Sequence, residues 1–363
     1  MGNHDNDGAT PCDENTDWNA SAKYRKAFGP TYYSFNIGRI HYIMLDDQIY
    51  HNEPRPDAKM GKGIVGSRNH TTALTRAQLD WLAKDLATVT DKNTPIVIGV
   101  HSPIFRYKDY MYPPVDCRLP AEQRDEFVAL FKEFPTVHIL SGHTHRNRCC
   151  YGRDDAAQPD IANFTEHTVA AVSGTRWHTS AFGGPQIAVT GEPAGCKIFK
   201  IADRDIKWYF KATEFTADTQ FRCFDMNGVS DFYRTSGQMR VFLDHFPKRT
   251  DYGKDKFRDK VMIHVWDWAN DWKIEVTENG KPLEVVRQKA ENPQYVLSYE
   301  IPKRLWMFNL NSASSRKKIR HPHMFHVSPL SPTSTLEVTV TDCFGNVYHQ
   351  TMVRPKPFSV HIK

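Results

Sequence analysis

The chain has 363 residues with ordinary apolar (40%) and charged (25%) fractions, enough for two domains and a sizeable core in a globular protein. Its formal net charge of +5 permits an anionic substrate but does not argue for nucleic acid, which needs a concentrated basic face. No run of about 18 apolar residues occurs, so no membrane-spanning helix is expected, and no signal peptide is visible.

The sequence opens Met1-Gly2-Asn3-His4-Asp5 and continues into a polar loop with Asn6, Asp7 and Gly8. Tyr32 to Phe35 and Ile40 to Leu45 flank Asn36-Ile37-Gly38-Arg39 as a hairpin, whose second, apolar strand reads as central. Residues 48–73 form a polar, glycine-containing loop bordering a site. Thr75 and Gln78 make a capping box, and Leu79, Leu82, Leu86 and Val89 follow at helical spacing. Pro95 to Val100 is a buried strand ending at His101, and a second helix spans 121–134, with Phe127, Leu130, Phe131 and Phe134 as its apolar stripe. Val137 to Leu140 is the next strand, leading into Ser141-Gly142-His143-Thr144-His145. In extended chain, residues i and i+2 share a face, so an extended His-Thr-His aims two imidazoles at one point. The alternation of strand and helix predicts an α/β layer with ligands at the strand C-termini.

Beyond residue 150 the character changes. Thr168 to Val172 reads as another buried strand, and Lys197 to Ile201 pairs with Ile206 to Phe210 around Asp203-Arg204-Asp205. Past Phe210 no helix of convincing length is expected. Short alternating runs at 238–243, 261–268, 272–276, 283–286, 294–299 and 336–341, separated by turn signals such as Glu278-Asn279-Gly280, predict a β-sandwich module. The expected boundary lies near 214–220, dividing the chain into domains 1–215 and 216–363. The basic stretch Arg316 to Arg320 reads as a solvated loop. Seven cysteines, none in a CxxC, argue against a structural zinc ribbon. Cys223 and Cys343 either bridge or remain buried free thiols.

Three points line up at strand ends: Asn3-His4-Asp5, His101 and His143-Thr144-His145. Asn3 offers a carbonyl oxygen, and His101, His143 and His145 offer nitrogens, to a divalent ion. Asp5 beside His4 suits an acid–base pair in which the carboxylate orients the ring. Each element alone has a plain reading as a polar turn or a satisfied strand-end histidine; the three together, in this order, point to a metal site.

Gly2-Asn3-His4-Asp5, Gly99-Val100-His101-Ser102-Pro103 and Gly142-His143-Thr144-His145 resemble the later half of the signature of calcineurin-like metallophosphoesterases. Leu74-Thr75 through Leu86 resembles a helix of that family. The stretches around 173–174, 211–213 and 238–240 resemble the C-terminal module of secreted members from Bacteroides-type bacteria. The resemblance implies a layered α/β (α+β) sandwich, N-terminally truncated, followed by an all-β sandwich domain. It assigns Asn3, His101 and His143 to one metal and His145 to the other, with His4 as the acid oriented by Asp5. Arg106, Arg146, Trp177 and His178 follow the motifs closely and are candidate contacts to phosphate or leaving group. Two ions of Mn, Fe, Zn or Ni, roughly 3.5–4 Å apart, would activate a shared water.

The sequence departs from the family pattern at its start. The D-x-H and G-D-x-x-D blocks, which supply the remaining ligands and the bridging carboxylate, have no counterpart before Gly2. The expectation is an N-terminally incomplete phosphoesterase domain that binds metal weakly, has impaired activity, and holds any ion nearer His143 than His145. The implied function is metal-dependent hydrolysis of phosphomonoesters or phosphodiesters, on a small phosphorylated substrate, in the periplasm or outside the cell. The alternatives are a catalytically inactive envelope- or glycan-binding β-sandwich protein with a degenerate phosphoesterase half, and a single-metal histidine site with a structural role.

Overall fold

The computed structural model describes the chain except residues 54–69, 106–118, 173–185, 189, 248, 289, 302–322 and 360–363, and the side chains of residues 255, 299 and 300. It divides into two compact units. The first comprises Met1–Thr144, Cys149–Val169 and Ile201–Ile206; the second comprises His145–Arg148, Ala170–Lys200 and Lys207–Lys363. Compactness thus groups residues 170–200 and 207–215 with the unit that ends the chain. The architecture is α+β with a C-terminal β module. Among the described residues no helix is long and apolar enough to cross a membrane.

The first unit is built on a six-stranded sheet. Its order is Tyr33–Ile37, Ile40–Met44, Ile96–Gly99, Val137–Ser141, Phe164–Thr168 and Arg148–Tyr151, with Arg148 itself counted in the second unit. The first two strands form the expected antiparallel hairpin, and the next three pairings are parallel. Ile43, Ile96, Ile98, Val137, Ile139 and Phe164 are buried in one core with Leu79, Leu82 and Leu86 of the Arg76–Thr88 helix and Phe127 and Val128 of the Ala121–Leu130 helix. The Thr75 hydroxyl caps the first of these helices, accepting from Gln78 N at 3.2 Å. The reciprocal half of the box is absent: the Gln78 amide instead accepts from Asp46 N and donates to Asp46 O, at 2.7 and 2.8 Å. The helix start is thereby fastened to the loop that follows the central strand.

The 48–73 stretch is not wholly a loop. Gln48–Tyr50 and His70–Thr72 pair as a two-stranded ribbon, with Tyr50 opposite His70. The expected strand at 168–172 ends at Thr168.

In the second unit, two four-stranded sheets carry the module. One runs Phe221–Asp225, Val261–Val265, Met324–Val327, Val286–Arg287; the other runs Lys281–Leu283, Lys273–Glu278, Leu336–Thr341, Val347–Met352; all pairings are antiparallel. The module is not helix-free, which corrects the sequence expectation. Helices occupy Met226–Thr235, capped by Asp225, and Gly237–His245, capped by Ser236. The run at 238–243 decides between periods: Met239, Phe242 and Leu243 are buried while Val241 is 50% exposed. A strand would place 239, 241 and 243 on one face. The run at 294–299 is helical as well, within Pro293–Tyr295 and Val296–Glu300. Cys223 is a free thiol, so the Cys223–Cys343 bridge does not form; burial pushes the Cys223 thiol up to about 12. Cys117 lies outside the described residues.

A buried polar knot sits within this unit. The Asn147 side-chain amide donates to Trp266 O at 2.9 Å and Asp267 Oδ1 at 3.1 Å, and its backbone N–H donates to Thr190 Oγ1 at 2.9 Å. Lys197 Nζ lies 2.9 Å from Asp267 Oδ1, both side chains fully buried, and the Thr190 hydroxyl donates to Glu192 at 2.6 Å. Burial pushes the Glu192 carboxyl up to about 8.

Candidate metal and phosphate site

Parallel register brings the loops together. Met44 pairs with Gly99, Gly99 with Leu140, and Leu140 with His167, so these strands end in one row. The segments leaving that row, 45–47, 100–102 and 141–143, emerge at the C-terminal edge of the sheet, where α/β sheets bind ligands. Gly142 N donates to His101 O at 2.9 Å, tying two of these loops together.

The loop after Gly99 is held from two sides by buried carboxylates. Asp47 accepts from His101 N at 3.2 Å through Oδ1 and from Ser102 N at 2.8 Å through Oδ2. Glu166 accepts from Ile104 N at 2.6 Å and Phe105 N at 3.3 Å. Gln48 reaches the Ser102 hydroxyl at 2.9 Å. Burial pushes the Asp47 carboxyl up, and its hydrogen bonds with Gln48, Ser102 and His101 pull it partly back. Asp47 therefore serves as a backbone clamp for His101, a role the sequence did not reveal.

The Asn3 turn is fixed by its own backbone. Asp5 N donates to Gly2 O at 2.9 Å, Gly2 N donates to the Asp5 carboxylate at 2.8 Å, and Tyr50 OH donates to Gly2 O at 2.6 Å. Gly2 also lies against the His101 ring: a Cβ there would stand 2.9 Å from His101 Cε1.

At the centre, His101 Nε2 is 2.9 Å from Asn3 Oδ1 and 3.0 Å from His143 Nδ1, and the two rings meet edge to face with centroids 4.9 Å apart. Donor atoms bound to one ion at about 2.1 Å and at right angles stand about 3.0 Å apart. The two spacings about His101 Nε2 match those between neighbouring ligand atoms of such a shell. Burial first, and the neighbouring His143 second, hold the His101 imidazole down at about 3. It is therefore neutral at ordinary pH, as a metal-ligating histidine must be. The donor set thus fits one divalent ion in part. Among the described residues no group of three or more His, Cys, Asp or Glu side chains is placed to hold a metal.

The expected extended His-Thr-His does not form. The strand ends at Ser141, and both His143 (φ 58°) and His145 (φ 55°) have left-handed backbone. Non-glycine residues in that region are uncommon and concentrate at functional sites. His145 and Arg146 fall in the second unit, both half-buried. His4 and Asp5 are exposed, and the Asp5 carboxylate binds Gly2 N, where the sequence reading placed it beside the His4 ring. Arg106, Trp177 and His178 lie outside the described residues. One imidazole was missed from sequence: His70 faces His143 at 6.2 Å between centroids, and its Nδ1 is buried without a hydrogen-bond partner. Burial, then His143, holds His70 down at about 4. It escaped notice because nothing in the polar run around it signalled the Tyr50–His70 pairing.

An α+β protein with imidazoles and an amide oxygen gathered at the C-terminal ends of the parallel strands of a mixed sheet, followed by a β module, is the class defined by these features. The chain belongs to the calcineurin-like phosphoesterase superfamily: the family described as the C terminal of calcineurin-like phosphoesterase matches residues 166–348, half of its length. Membership points to a phosphoesterase, in a family that generally uses divalent metals. No curated protein matches the chain.

Proposed function

We propose that the chain hydrolyses a small phosphate ester with metal assistance, and that Asn3, His101 and His143 hold the ion. The observation that carries this reading is the 2.9 and 3.0 Å spacing of Asn3 Oδ1 and His143 Nδ1 about His101 Nε2. A bound divalent ion supplies an activated water and a clamp on phosphoryl oxygens. In this reading His145 serves a second ion of a dinuclear centre. His4, exposed beside the Asn3 turn, gives a proton to the leaving oxygen, while Asp5 holds that turn closed through Gly2. Arg106, Arg146, Trp177 and His178 are the proposed contacts to phosphate and leaving group. Asp47 fixes His101, and burial keeps the imidazole neutral so that its lone pair is available. The proposed layering is a phosphoesterase-type sandwich, and the proposed location is periplasmic or extracellular.

The test is metal analysis together with hydrolysis of bis-p-nitrophenyl phosphate in the presence of Mn²⁺. The expected result is weak, Mn²⁺-dependent turnover and metal uptake, both lost in His143→Ala. Turnover that survives in His143→Ala or in EDTA overturns the reading. Absence of metal uptake in the wild type does so as well, and shifts the choice to a non-catalytic envelope- or glycan-binding role.

A further inference from the structure

The second unit contains a cavity of about 470 Å³ lined by Arg249, Thr250, Tyr252, Lys254, Lys256 and Gln288, with Asp251 and Glu291 also on its wall. Its volume is that of a small-molecule site. The two carboxylates are already engaged within the protein. Glu291 lies 3.4 Å from Arg249 Nη1 through one oxygen and accepts from Thr250 N at 3.0 Å through the other. Asp251 accepts from Arg240 at 3.1 Å and Gly253 N at 2.9 Å. The groups left over have the opposite character. Neither Lys254 nor Lys256 has a carboxylate partner among the described residues, and Gln288 Nε2 is a buried donor without a hydrogen-bond partner. Two exposed ammoniums and an idle amide N–H facing one cavity favour an anion with several oxygens. The sequence agrees: residues 247–260 carry six basic side chains against three carboxylates. The ring of Phe257 adds an apolar wall, suited to an organic body behind the charge.

We propose that this cavity binds a small organic phosphate, its phosphoryl oxygens on Lys254, Lys256 and Gln288 and its body against Phe257. The proposal does not depend on the hydrolase reading, because none of these residues belongs to the histidine cluster. The test is calorimetric titration of the whole chain with glucose 1-phosphate in EDTA. The expected result is saturable one-to-one binding, displaced by inorganic phosphate, weakened at least fivefold by the Lys254→Gln, Lys256→Gln double substitution, and unchanged in His143→Ala. These lysines are exposed, so the double variant keeps the fold, which its circular dichroism checks. Absence of saturable binding overturns the proposal, and so do full affinity in the lysine variant, loss of binding in His143→Ala, and failure of phosphate to compete.

Discussion

Replacing Asp47 with asparagine tests whether the buried carboxylate, and not the strand alone, places His101. Asp47 is 1% exposed and its two oxygens accept the amides of His101 and Ser102 at 3.2 and 2.8 Å. The Asp47→Asn substitution keeps the shape and one acceptor, but turns an N–H₂ toward the other amide. Losing a charge-assisted hydrogen bond and stranding a buried N–H costs about 1.5–3 kcal/mol. Part of that returns because the neutral amide escapes the desolvation that pushes the carboxyl up. The expected net loss is about 2 kcal/mol in the first urea transition followed by tryptophan fluorescence. A ligand freed from its support typically costs 10–100-fold in metal affinity, so Mn²⁺ binding should weaken at least tenfold. A variant within about 0.5 kcal/mol of wild type, with unaltered Mn²⁺ affinity, would refute the clamp.

His138, buried against His167 with Nδ1 and Nε2 3.1 Å apart, is held down at about 4 by burial. Below its ordinary value near 6.5 the unfolded chain takes up a proton that the folded chain refuses, so stability is lost as pH falls from about 6.5 to 4, amounting to about 3 kcal/mol; in His138→Phe the urea midpoint should fall less between pH 7 and 4.5, and an identical slope would refute the assignment. Gly2→Ala puts a methyl 2.9–3.0 Å from the His101 ring, which must turn away from Asn3; Mn²⁺ affinity measured by titration should drop about tenfold while the thermal midpoint stays near wild type, and equal affinity would show that the ring has room.

Much of the first unit was legible because its strands are apolar runs and its longer helix has a capped, periodic face. His101 and His143 were legible because each follows such a run, so parallel register does the rest; Asn3 sits in a turn with no strand before it and was legible only through the Gly2-Asn3-His4-Asp5 motif. The extended His-Thr-His was misjudged because local pattern does not report φ, and Gly142 starts a bend. The Met226–Thr235 and Gly237–His245 helices were missed for a different reason. Met226, Val229 and Tyr233 carry the helical period, but polar residues interrupt them, and Val241 made the next run look alternating. His70 and Asp47 act through pairings and amide contacts across the fold, which one-dimensional spacing does not encode.

The Asn147–Asp267–Lys197 knot bears on how this polypeptide can be divided. Cutting after residue 215 would look natural from composition, yet it would separate Asn147 and Lys197 from the carboxylate they share. Stranding one member of a buried ion pair costs about 3–5 kcal/mol, and here the stranded amide lies two residues past His145. A fragment ending at 215 would thus carry a loosened histidine turn, and silence in an assay of that piece would report the severed knot and not the chemistry of the intact chain.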